Sequence, residues 1–198
     1  PYRYGIGVRG QLRGLAHAHM GWMFTDDPTS RERYAPDLLA DPAMVRVARA
    51  FPALCVVSLA LPFLAGWAIG GGLYGGLTAF LWAGLVRVAL LQHVTWSVNS
   101  LCHVMGSRPF TTRRHDRSTN LWPLAVLSFG ESWHNGHHSE PTCARHGLDR
   151  HQVDPSAGLI RLFERFGWAT DVHWPDPGRT ERRRRADVPE QARAPTAR

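Results

Sequence analysis

The sequence contains no lysine: all 23 of its basic residues are arginine, set against 16 acidic residues for a net charge of +7. That bias belongs to GC-rich genomes and is not itself a mechanism. The arginines form no recognisable nucleic-acid reader motif, which argues against a nucleic-acid partner. They flank apolar segments instead, a distribution that suits an anionic membrane surface. Cysteine is also scarce. Cys55, Cys102 and Cys143 are too few and too scattered for a disulfide framework, and the apolar surroundings of Cys55 and Cys102 read as small buried positions. No secretory signal pattern is present, and the chain opens on Pro1 where an intact start would carry Met, as expected of a processed or truncated product.

The most informative absence is charge between Ala50 and Val86. A membrane span needs about 20 apolar residues, so this run and its continuation toward Val98 hold two. Spans are expected near 51–70 and 75–97, joined by the turn Gly70-Gly-Gly-Leu-Tyr-Gly-Gly76. Pro52 and Pro62 are tolerable in the first, because membrane helices accept proline where neighbours satisfy the freed carbonyl. Arg31, Arg33, Arg46 and Arg49 precede the hairpin, and Arg108, Arg113, Arg114 and Arg117 follow it. The positive-inside rule then places both termini in the cytoplasm and only the glycine turn outside. The fold class expected is all-α: a membrane-embedded hairpin of two transmembrane helices with cytosolic and interfacial helices.

The second span is interrupted by Arg87, Gln92, His93 and Thr95, with Asn99 and His103 just beyond it. Ionisable groups at membrane depth are costly and read first as functional. Asn99 and His103 stand at i, i+4 and so stack on one helix face. Arg87 reads as structural, snorkelling or bracing a buried carboxylate.

Residues 118–133 are apolar but too short to span and contain Pro123; Trp122 and Trp133 suit a helix lying at the interface. Next comes Trp133-His-Asn-Gly-His-His138. Its His134, His137 and His138 stand at i, i+3 and i+4, which puts three imidazoles on one helical face. Imidazole clusters suit Zn, Fe, Cu or Ni. A His-rich polar loop is the bland alternative. Glu131 is placed to orient one ring, to cap the helix or to sit at the interface. Residues 156–174 read as a short amphipathic helix with Leu159, Leu162, Phe163 and Phe166 on its apolar side. From residue 176 to 198 the Arg-, Ala-, Pro- and Glu-rich composition predicts disorder, leaving 1–175 as the folded part. His17 and His19, at i, i+2, point to different faces and read as structural or substrate-facing.

Taken together, Ala18-His-Met-Gly-Trp22, the apolar hairpin, Thr95-Trp-Ser-Val-Asn-Ser-Leu-Cys-His103 and Gly130-Glu-Ser-Trp-His-Asn-Gly-His-His138 resemble the C-terminal part of the membrane acyl-CoA desaturases of the stearoyl-CoA delta-9 type. The resemblance covers roughly residues 14–168. It implies a di-iron enzyme that uses O2 and two electrons to convert a saturated fatty acyl thioester to its cis-monounsaturated product. It further implies iron ligands at His103, His134, His137 and His138, with Asn99 holding an iron through water. Thr95 and Trp96 would lie beside the acyl tunnel, and Trp22 and His19 would pack near the site. His93 falls off the family pattern. A ferredoxin or a b-type cytochrome with its reductase would supply electrons, and a bacterial plasma membrane would be the location. The family's two earlier histidine boxes, H-x-x-x-x-H and H-R-x-H-H, are missing from this chain, so a fragment inactive on its own is expected. Another histidine-box membrane hydroxylase and a non-catalytic metal-binding hairpin are the alternatives.

Overall fold

Two capping side chains set where the apolar helices begin. Ser30 Oγ accepts from the Arg33 N–H to start a one-turn helix, α2 (Arg31–Tyr34). After α3 (Pro36–Ala40), Asp41 Oδ1 accepts from the Ala43 N–H at 2.7 Å, with Pro42 in the first turn. Both are favoured starts, since a capping oxygen satisfies an orphan donor and proline has no N–H to lose there. Helix α4 therefore runs Pro42–Ile69, beginning nine residues before the expected span and taking Arg46 and Arg49 into its first turns. The computed structural model describes residues 7–25 and 30–184, and its regular structure is helical, with isolated β-bridges. It divides into two compact units: Phe24–His93, and the segments before Met23 and after Val94 taken together.

In the Phe24–His93 unit, α4 turns at Gly70–Gly72 into α5 (Leu73–Ala79), a π-helical stretch (Phe80–Val86) and the start of α6 (Arg87–Ser100). Both long helices are apolar and long enough to cross a membrane, and none of α4's most apolar stretch is buried by protein. The turn works by close approach. A side chain at Gly66 would strike Ala79 and the Gly75 carbonyl, and one at Gly75 would strike Gly66 and Gly70. Cys55, expected to be buried, is exposed on α4, because only the glycine-lined face of that helix meets a partner.

Pro62 interrupts α4 without bending it out of the hairpin. Its missing N–H leaves the Ser58 carbonyl, four residues back, without its helical donor. Arg87 supplies one: Nη2 donates to Ser58 O at 3.2 Å and meets Ser58 Oγ at 2.8 Å, while Nε donates to Ala83 O at 2.7 Å. The arginine is thus the brace, and a carbonyl is what it braces.

The other unit contains α1 (Val8–His19) and the end of α6, followed by a 3₁₀ turn at Leu101–His103. α1 is tied to α6 by His19 Nδ1, 2.9 Å from Ser100 Oγ, with its ring edge-on to Trp96. The segment 118–133 is not one interfacial helix. Only α7 (Trp122–Ala125) is helical, and antiparallel bridges pair Asn120 with Ser107 on one side and Trp133 on the other. Pro123 at the start of a turn and the backbone pairing of Asn120 prevent a continuous helix. Trp133 is buried and donates to Val153 O at 2.8 Å, while Trp122 is exposed. Then come α8 (His134–Ser139), α9 (Pro155–Arg165) and α10 (Pro177–Arg183). α9 ends before Phe166, shorter than the expected 156–174, and its Leu159, Leu162 and Phe166 are exposed.

The disorder expected from residue 176 is corrected for its first part. Asp176 caps α10, and Arg179 and Arg183 bind the buried Glu140 at 2.8 and 3.0 Å, while Arg184 pairs with Asp149. These arginines are ordered because each finds an acid already held in the fold. Residues 185–198 of the expected tail lie outside the described residues.

The Arg87 brace predicts a coupling. Arg87→Met should cost stability in the parent but about 1 kcal/mol less in a Pro62→Ala background, where Ser58 O regains its own helical donor. Thermal melts of the four detergent-solubilised chains measure it; equal losses in both backgrounds would contradict the brace.

Candidate metal centre

The histidine-bearing helix α8 has six residues, too few to hold itself together in water. Its N-cap position, Trp133, offers no side-chain acceptor. Asn120 does the capping from outside: its Oδ1 accepts from Asn135 N at 2.9 Å and Gly136 N at 3.2 Å. Asn135, fully buried, fixes the helix on the opposite side, exchanging hydrogen bonds through its amide with Phe110 N and O at 2.9 and 3.2 Å. The turn bearing His103 is joined to the same framework. Thr119 N donates to Cys102 O at 2.7 Å, next door to Asn120, and Cys102 is buried as expected.

This framework brings His103, His134 and His138 together, one ligand atom from each lying within 4.8 Å of the others. His134 Nε2 is 3.0 Å from His103 Nε2 and 3.0 Å from His138 Nε2. His138 Nδ1 lies 2.6 Å from Asp116 Oδ2. Burial alone would push the Asp116 carboxyl up, but hydrogen bonds from the Ser118 N–H and from His138 prevail and hold it below the usual range. An ionised carboxylate only accepts, so His138 carries a proton on Nδ1, and its neutral form turns a bare Nε2 lone pair inward. Burial pushes the His134 imidazole down to about 3, helped by the neighbouring His138, His103 and His137, so it is neutral at physiological pH.

Those assignments leave a contradiction that a cation resolves. His134 Nε2 has two nitrogen neighbours at 3.0 Å, yet it can donate one proton at most, to one of them. If it keeps a lone pair instead, it faces the bare nitrogen of His138. A metal among the three accepts all the lone pairs at once. Nitrogens bound at about 2.1 Å on one ion stand about 3.0–3.4 Å apart, depending on coordination geometry, so the spacing fits. Three neutral imidazoles are a donor set suited to iron as well as to zinc, copper or nickel.

His137, expected as a ligand beside His134 and His138, is not in this three-histidine group. Its ring lies 5.9 Å from that of His134 and 5.6 Å from that of His138, and packs at a tilt 4.4 Å from that of His146. Burial, with His146 and His138 nearby, pushes its imidazole down to about 4. Asn99 is exposed on the last turn of α6, four residues before His103, which itself sits in the 3₁₀ turn and not on a continuing helix. Thr95 is exposed, Trp96 half-buried against His19, and Trp22 about half exposed in the 3₁₀ turn Gly21–Phe24. Glu131 is exposed, and Asp116 takes the orienting position assigned to it. Asp116 was missed because it lies 22 residues from His138, in an Arg-rich loop.

The match to known proteins is extensive. The family model described as fatty acid desaturase matches residues 3–168. The chain is 35% identical over 175 residues to a hex-5-enoyl-[acyl-carrier protein] acetylenase of Moorena producens, covering 88% of this chain and 54% of that protein. It is 48% identical over 115 residues to delta-9 acyl-lipid desaturase 1 of Arabidopsis thaliana, covering 58% of this chain and 36% of that one. A chloroplastic palmitoyl-monogalactosyldiacylglycerol delta-7 desaturase of the same plant is 34% identical over 174 residues, 86% of this chain and 44% of its own. The chain therefore belongs to the fatty acid desaturase family. It spans about half the length, or less, of these curated relatives.

The Asp116–His138 contact carries its own test. Asp116→Asn keeps an acceptor for Ser118 N but can turn an amide N–H toward His138 Nδ1, favouring the tautomer with its proton on Nε2. Affinity for Zn(II) should fall about 10- to 100-fold, as for other partners of ligating histidines. Competition titration with a chromophoric chelator reads this; unchanged affinity would contradict the assigned role.

Proposed function

We propose that this chain carries the metal-bearing part of an oxygen-dependent fatty acyl desaturase in lipid biosynthesis. The observation that carries the reading is the convergence of His103, His134 and His138, oriented by Asp116, within a chain of this family. The relatives' names include acyl-carrier-protein, acyl-lipid and acyl-CoA forms, so the substrate class is a fatty acyl chain on a thioester or a lipid. The overall reaction is R–CH2–CH2–R′ + O2 + 2 e⁻ + 2 H⁺ → R–CH=CH–R′ + 2 H2O. Iron, two ions in the complete enzyme, supplies the oxidising power that removes hydrogen from unactivated methylenes.

The residues of this chain have the other tasks. His103, His134 and His138 would hold metal through Nε2, with His137 on the same helix a further ligand, and Asp116 would keep a proton on His138 Nδ1. Asn99, just before the 3₁₀ turn, is available to reach the metal through water. Thr95, Trp96 and Trp22 would line the acyl path, with His19 fixing Trp96. Two electrons per turnover enter from a ferredoxin or a b-type cytochrome. The apolar helices α4 and α5–α6, with arginines flanking the hairpin, support a hairpin across a bacterial plasma membrane. Both termini and the histidines would then face the cytoplasm.

The test is a chimera in which residues 3–168 replace the matching part of a delta-9 relative, expressed in yeast lacking its own delta-9 desaturase. Growth without added oleate and a monounsaturated product are expected. Alanine at His103, His134 or His138 should abolish both, and His93→Ala should spare them. Product retained in all three alanine variants would refute the reading.

A further inference from the structure

The far end of α8 is gripped by a segment that the histidine box does not contain. The helix closes with the Glu140 N–H donating to Gly136 O at 2.9 Å, and the Glu140 side chain then turns into the protein, 2 % exposed. A buried carboxylate is costly unless cations meet it. The cations come from α10. Arg179 reaches both oxygens, with Nε 2.9 Å from Oε1 and Nη2 2.8 Å from Oε2, and Arg183 Nε lies 3.0 Å from Oε1. A guanidinium laid along a carboxylate fixes direction as well as charge. His138 stands two residues before this ion pair.

The same segment also reaches the start of α8. Arg183 O accepts from the Thr111 N–H at 2.8 Å and from Thr111 Oγ1 at 3.0 Å. Arg184 pairs with Phe110 in an antiparallel bridge, its guanidinium 5.1 Å from the centre of the Phe110 ring, and is anchored by Asp149 at 2.5 Å. Phe110 is fully buried, and its backbone exchanges hydrogen bonds with Asn135, the second residue of α8. Residues 176–184 thus hold the end of α8 directly and its beginning through Phe110, with His134 and His138 between the two grips. The whole segment lies beyond residue 168, where the match to the family model stops. This support therefore lies outside the matched pattern.

We propose that residues 176–184 are a positioning strap for α8, in which Arg179 and Arg183 act through Glu140 while Arg184 acts through Phe110 and Asn135. The strap holds the helix in the orientation that turns His134 and His138 toward His103, and it rests on reading those three histidines as the metal centre. A helix of six residues has too few internal hydrogen bonds to keep its own axis, so what grips its ends sets its direction. The arginines touch no metal ligand. They act by raising the fraction of the time in which the three nitrogens converge, and apparent affinity scales with that fraction.

Zinc(II) is the probe, bound in competition with a chromophoric chelator by the 198-residue chain in detergent. The titrations are run well below the melting temperature, where a loss of stability alone leaves affinity unmoved. The double variant Arg179→Gln/Arg183→Gln should bind about tenfold more weakly, as when the converged arrangement falls to about a tenth of the population. Hydrogen exchange at the α8 amides of the same metal-free variant should be faster than in the parent. Arg182→Gln, which removes a charge from an exposed position of the same helix, should match the parent. Arg179→Lys/Arg183→Lys keeps both charges without the planar fork and should fall between parent and double glutamine. Should the double glutamine not fold, the lysine pair carries the test. Parent-like affinity in the double glutamine, or in the lysine pair in its place, refutes the strap, while loss of binding in His103→Ala upholds the metal centre. Equal weakening in Arg182→Gln would reduce the effect to net charge and also refute the strap. No zinc binding by the parent would overturn the metal centre and the strap with it.

Discussion

One side-chain oxygen, Oδ1 of Asn120, is the constraint on which the metal centre depends. It accepts the first free N–H groups of a helix too short to stand alone, and so fixes the direction in which His134 and His138 project. Asn120 can do this because its backbone is pinned on both sides, to Ser107 and to Trp133. The adjacent Thr119 holds the Cys102 carbonyl and thereby the turn that presents His103. Two segments distant in sequence, 102–107 and 133–136, are thus referred to the pair Thr119–Asn120. Within its own unit the apolar hairpin is stabilised by different means: glycine contact at the turn and an arginine repairing a proline gap.

The electrostatics follow from burial. Neutral imidazoles tolerate a dry pocket, but several converging nitrogens cannot all be satisfied by the protons they carry. The carboxylate of Asp116 sharpens the conflict by committing the His138 proton to its outer nitrogen. A site in which protons cannot settle the lone pairs is one organised for a cation, and the same logic distinguishes ligands from a merely His-rich surface.

Much of this was legible in the sequence, and the reasons for the misses are geometric. The uncharged run from Ala50 to Val86 announced the hairpin because no alternation or charge competes with it. The histidine spacing announced a shared face, but helical geometry treats i+3 and i+4 differently. At 100° per residue, His138 lies about 40° to one side of His134 and His137 about 60° to the other, so the three split between two directions. Asp116 acts across a loop, where periodicity carries no information. Residues 118–133 had the composition of an interfacial helix, yet paired backbone at Asn120 overrode it. Arg179, Arg183 and Arg184 fell in the stretch expected to be disordered, because their acidic partners Glu140 and Asp149 are adjacent only after folding. Family membership, by contrast, was carried by motif order, which needs no geometry at all.

The central claim is that His103, His134 and His138 close on a single ion. X-ray absorption at the zinc edge of the chain loaded with one equivalent addresses it directly. The account predicts a shell with three imidazole nitrogens at about 2.0–2.1 Å, falling to two in His103→Ala. A shell dominated by water oxygen, or one unchanged by that substitution, would contradict it.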